Sequence, residues 1–229
     1  VTAPVVISDA LALDVAKTLC ERAGVELILH GDVRREAIVL ALGAWHALTG
    51  SAWDVDHARD AVSVTIPALG RALSLLKAVP VVGEVFAALG SSRPQVYLSP
   101  AALRDPVALL GTVAHELGHV ARLAVGGMMW CVAYGAVPEA RAADEAACYG
   151  QDCGCRVLLG GADADKACDD ALASLRAYDL DEASTALAVA IVGVHRRTLR
   201  VGGIPGGPIV DVFRELRARG VEGVPEVPA

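Results

Sequence analysis

Residues 105–127 constrain the fold more than any other stretch. Asp105-Pro106 is a helix start, with Asp as cap and Pro in the first turn. Leu110, Val113, Ala114, Leu117, Gly118 and Ala121 then recur at helical spacing until Gly126-Gly127 ends the pattern. Into the middle of this apolar helix the sequence sets His115, Glu116 and His119. Four residues apart, the two imidazoles leave the same face one turn from each other, close enough to ligate one zinc ion. Glu116 sits one residue round the helix, where its carboxylate reaches a water at that ion rather than the ion itself, as a general base requires. Such a group is costly to bury alone, so partners are expected from a second element.

A catalytic zinc ion takes three protein ligands and keeps one position open. Pro138 opens a second helix, Glu139 to about Gly150, connected by a turn long enough to lay it beside the first. It offers Glu139, Asp144 and Glu145. No third histidine follows on the first helix, whose residues 120–125 read Val-Ala-Arg-Leu-Ala-Val. A histidine ligand would have to be His30, His46, His57 or His195.

His115-Glu116-Leu117-Gly118-His119, with Glu139 twenty residues further on, resembles the gluzincin metallopeptidases, the thermolysin-like zincins. The resemblance covers roughly residues 95–150. It implies an α+β fold, helix-rich and zincin-like, with a small mixed sheet and an active-site helix carrying the motif. It further implies one catalytic Zn2+ held by His115, His119 and Glu139, with Glu116 as base in peptide-bond hydrolysis. A downstream histidine or tyrosine would stabilise the oxyanion, a role open to His195, Tyr149 or Tyr134. The strand before the active helix would pair with an extended substrate, which makes Val96 to Leu98 a candidate rail. The family's aspartate four residues beyond the glutamate is here Ala143, and Asp144 follows it. Either Asp144 orients a ligand histidine from a shifted position, or Asp144 or Glu145 is itself the ligand.

The remaining chain reads as one domain, 1–229, with an N-terminal α/β part (1–94), the zincin core (95–150) and a C-terminal helical part (151–229). With 54% hydrophobic but only 4% aromatic residues, the core must be built from Ala, Val and Leu, which suits closely packed helices. Strands are expected at Val5 to Ser8, Val25 to His30, Ala61 to Ile66 and Gln95 to Ser99. Helices are expected at Asp9 to Arg22, Asp32 to Leu48, Leu69 to Val79 and on to Leu89, then at Asp163 to Tyr178, Asp181 to Arg200 and Ile209 to Arg219.

A net charge of -7 argues against a nucleic-acid surface, and no apolar run is long and charge-free enough to span a membrane. The opening Val-Thr-Ala-Pro carries no secretory pattern, which leaves the compartment open, cytoplasmic or released. Cys20, Cys131, Cys148, Cys153, Cys155 and Cys168 could remain buried thiols, form disulfides, or in Cys153-Gly-Cys155 hold a second metal. The expected partner is a peptide or protein substrate. The other reading is an inactive or latent zincin-like module with a protein assembly partner, as in a phage particle or secretion machine.

Overall fold

A computed structural model of the chain describes residues 3–29, 94–98, 102–178 and 180–227. The elements expected between Asp32 and Leu89, and with them His30, His46 and His57, lie outside the described residues.

Ser8 caps α1 (Asp9–Arg22), which buries Ala12, Val15, Ala16, Leu19 and Cys20. The expected strand at Val5 to Ser8 does not form a ladder. The Val5 amide instead donates to the Leu159 carbonyl at 2.7 Å, tying the start of the described chain to a helix end. Strands β1 (Glu26–Ile28) and β2 (Gln95–Tyr97) pair in parallel, Leu27 opposite Val96. Among the described residues this is the whole sheet. Val96, Tyr97 and Leu98 are at most 2% exposed. That burial belongs to a core strand, so the candidate substrate rail is not an open edge.

The helices α2 (Pro106–Ala136), α3 (Pro138–Leu158), α4 (Ala164–Leu175), α5 (Glu182–Arg200) and α6 (Ile209–Ala218) carry the rest. Asp105 caps α2 as its sequence requires, accepting from the amides of Val107 at 2.7 Å and Ala108 at 3.1 Å. The helix does not end at Gly126-Gly127. Gly127 leaves helical geometry (φ 54°, ψ -140°), a conformation open to glycine, and a second helical segment then runs to Ala136. The fold is therefore helix-rich α+β, as expected, and among the described residues no helix is long and apolar enough to cross a membrane.

Helix α3 packs against α2 on one side and α5 on another. It runs eight residues past the expected end at Gly150, because Gly150 and Gly154 mark close approach rather than a stop. A Cβ at 150 would lie 2.5 Å from the His195 ring, and one at 154 would meet Ile209 at 2.3 Å. The α2–α3 contact is equally tight. A Cβ at Gly118 would lie 2.8 Å from Cys148 Sγ, so glycine there sets the separation at the level of the two histidines. Gly118→Val is expected to destabilise the protein by about 1–3 kcal/mol through overpacking, measured by urea denaturation.

At the far end of the fold, buried Glu215 of α6 accepts from Arg219 Nε at 2.8 Å and pairs with Arg22 of α1 at 2.6 Å. Burial pushes this carboxyl up, but the bonds from Arg219 and Arg22 outweigh it and hold its pKa below the ordinary glutamate range. A lowered folded value means the stabilisation is complete above the unfolded value of about 4.3 and lost as pH falls through the folded one. Glu215→Gln should therefore lower the melting midpoint at neutral pH, and the gap from wild type should close on acidification below about pH 4.

Candidate metal centre

His115 and His119 project from the first segment of α2 into the α2–α3 seam, where α3 presents Asp144 and Glu145. The two Nε2 atoms stand 3.1 Å apart. Glu145 faces both, Oε2 at 3.4 Å from His115 Nε2 and Oε1 at 3.5 Å from His119 Nε2. Its Oε2 is buried without a hydrogen-bond donor, while Oε1 accepts from the Tyr134 hydroxyl. Glu116 Oε1 lies 3.8 Å from His115 Nε2. His115, Glu116, His119, Asp144 and Glu145 are each 9% exposed or less, which places three carboxylates inside the protein.

Behind His119 a second set of groups fixes the ring. Asp144 Oδ2 is 2.5 Å from His119 Nδ1, so the imidazole donates there and turns Nε2 toward Glu145. Asp144 is held in turn by Arg122, which donates to its carboxylate and, at 2.9 Å, to its backbone carbonyl. Trp130 Nε1 adds a donor at 3.3 Å. Burial works against the charge on Asp144, but His119 and Arg122 lower its pKa below the ordinary range. The same opposition operates on Glu145, where the nearby histidines overcome complete burial and hold the carboxyl well down. For His119, burial is outweighed by Glu145, Cys148 and the bond to Asp144, which raise it. The pocket therefore favours positive charge at its centre.

Among the described residues, His115, His119 and Cys148 form a buried group that could hold a metal ion, with ligand atoms within 4.8 Å of one another. Two arrangements compete around it. Cys148 Sγ is 3.5 Å from His119 Nδ1, the nitrogen already engaged by Asp144, and burial keeps its thiol protonated. Glu145 instead addresses the free Nε2 edges of both histidines and brings an unpartnered buried oxygen to them. Two imidazole nitrogens and one carboxylate oxygen without a donor thus meet in the seam between the two helices.

The structure does not bring Glu139 to this cluster. It is exposed in the first turn of α3, six residues from Glu145, or about 9 Å along the helix axis. Tyr149 does reach the site, packing edge-on to His115 with ring centroids 4.8 Å apart. Burial, reinforced by Glu145, pushes its hydroxyl up to about 12 and keeps it neutral. His195 lies elsewhere, its ring against Gly150 and its Nε2 buried without a hydrogen-bond partner. Burial and the charge of Arg122 lower its pKa. The sequence reading missed Arg122, Trp130 and Tyr178. Trp130 arrives only because Gly127 redirects the chain, and the half-buried Tyr178, its hydroxyl raised by burial, also feels the charges of Glu145 and Glu116. A cavity of about 210 Å³, lined by Arg122, Trp130, Tyr134, Ala143 and Asp144 among others, opens on the Nδ1 side of His119. His115, Glu116 and Glu145 do not line it.

No family model, curated protein or solved structure matches the chain.

Glu145→Ala should abolish tight zinc binding while Glu139→Ala leaves it intact, measured as metal retained after dialysis and by competition with a chromogenic chelator. Asp144→Asn should weaken binding by about 10- to 100-fold, since the ring loses its orienting acceptor.

Proposed function

We propose that the chain is a zinc-dependent metallopeptidase of the zincin kind. The observation that carries this reading is the buried convergence of His115, His119 and the unpartnered Glu145 oxygen, with the Glu116 carboxylate 3.8 Å from His115 Nε2. A zinc ion in that position would supply Lewis-acid chemistry, polarising a peptide carbonyl and acidifying water.

The protein's own groups take the remaining roles. Glu116, which ligates nothing in this arrangement, accepts the proton of the attacking water and delivers it to the departing amine. Asp144 holds His119 in the tautomer that leaves Nε2 free, and Arg122 holds Asp144. Tyr134 fixes the Glu145 carboxylate from the segment beyond Gly127. Neutral Tyr149, beside His115, is the best placed of the oxyanion-stabilising candidates from the sequence. His195 is set aside, because its ring faces Gly150.

A second reading is favoured by one specific feature, the burial of the whole cluster. His115, Glu116 and His119 are 9%, 6% and 7% exposed, so a peptide reaches Glu116 only after covering side chains move. A latent or structural zincin-like module would have that character. Glu116 weighs against it, because a metal held only for structure has no use for a carboxylate beside the ligand set.

Wild type and Glu116→Gln, each loaded with zinc and mixed with an unfolded protein substrate, separate the two. The peptidase reading expects both to retain the metal and the variant to lose about 100- to 10,000-fold in cleavage rate. Retention of zinc by both with no cleavage by either would favour the latent module.

A further inference from the structure

A single residue outside helical geometry joins the two parts of α2. Gly127 holds φ 54° and ψ -140°, a region that residues with side chains rarely enter, and residues 128–136 continue beyond it as a separate helical piece. The kink folds that piece back. In a continuous helix Trp130, eleven residues after His119, would stand about 16 Å further along the axis, yet the two ring centroids are 6.1 Å apart. The fold-back also needs the preceding glycine, because a Cβ at 126 would lie 2.7 Å from Trp130 Cβ.

The two faces of the piece differ. Inward, the Trp130 and Tyr134 rings lie over His119, the second with its centroid at 5.9 Å. Trp130 Nε1 donates to Asp144 at 3.3 Å, and the Tyr134 hydroxyl donates to Glu145. Outward, Met129 and Val132 are 75% and 55% exposed, and Gly135 and Ala136 also face solvent. The inward seam is incompletely filled. The cavity of about 210 Å³ has Trp130, Ala133 and Tyr134 on one wall and Ala140, Ala143 and Asp144 of α3 on the other. Atoms that line a void forgo the dispersion contacts of a packed seam, so the piece rests on α3 mainly through its two polar anchors. Beneath it lie buried His115, Glu116 and His119.

We propose that residues 128–136 are a hinged cover, latched to Asp144 and Glu145 through Trp130 and Tyr134, which swings about Gly127 to uncover the histidines and Glu116. Opening breaks two hydrogen bonds and parts two rings from His119. It leaves the first segment of α2 and the whole of α3 in place. Straightening at Gly127 is the motion that carries Trp130 and Tyr134 away from α3, since a continuous helix sets them along the axis beyond the histidines. That the opening admits a peptide rests on the peptidase reading, whereas the opening itself does not.

The test uses the whole chain without added metal. Hydrogen exchange read by mass spectrometry should show the amides of residues 128–136 exchanging together, about 10-fold or more faster than those of residues 110–121 and 140–158. Gly127→Ala removes no side chain from the site but strains the closed hinge, and should speed exchange of the cover by about 10-fold or more with the flanking helices unchanged. Tyr134→Phe, which removes one latch, should act in the same direction. Diethyl pyrocarbonate then reports whether opening uncovers the site. The tryptic peptide 105–122 contains His115 and His119 and no other histidine, and its acylation should be slow in wild type and faster in both variants. Exchange of 128–136 no faster than that of the flanking helices, or acylation that neither variant speeds, would overturn the proposal. Neither readout needs zinc or cleavage. An opening cover on a protein that cleaves nothing would count against the peptidase reading alone, and a rigid segment on an active peptidase against the cover alone.

Discussion

Three carboxylates buried beside two histidines are the constraint around which this structure is arranged. An ionised carboxylate taken out of water costs several kcal/mol unless opposite charge and hydrogen bonds replace the solvent. Asp144 meets that cost with His119, Arg122 and Trp130. Glu145 meets it only in part, because Oε1 accepts from Tyr134 while Oε2, facing His115 Nε2, has no donor. A cation between those atoms would complete the compensation. The same position would serve the chemistry proposed for Glu116.

The packing follows from holding that cluster together. Gly118 on α2 admits Cys148 of α3 at a distance no larger side chain allows, which brings the histidine face against Asp144 and Glu145. The far side of α3 is thinned by Gly150 and Gly154 to admit His195 and Ile209. Gly127 then turns the chain so that Trp130 and Tyr134 return to the same two carboxylates. One backbone exception therefore converts what reads as a helix end into the cover of the site.

Much of this was legible in the sequence. The cap at Asp105, the helical spacing of His115 and His119, and the starts of α3, α4, α5 and α6 rest on local rules of capping and periodicity that tertiary context leaves intact here. The third acidic partner was narrowed to Glu139, Asp144 and Glu145, and the resemblance favoured Glu139. That choice assumed a chain reversal at Gly126-Gly127. The extra segment to Ala136 instead leaves Glu139 exposed at the helix start and brings the next turns of α3 to the histidines. Arg122 and Tyr178 carried no local signal, since their roles arise only from which helix faces meet. Gly150 was read as a stop because close approach and helix termination use the same residue.

In the proposed centre His115, His119 and Glu145 converge on one metal ion. Crystals grown with zinc and measured at the zinc absorption edge test it most directly. The expected result is a single anomalous peak about 2.0–2.2 Å from the Nε2 atoms of both histidines and from a Glu145 oxygen, with Cys148 and Glu139 outside bonding distance. A peak bound by Cys148 Sγ, or by Glu139, or no peak between the two helices, would contradict it.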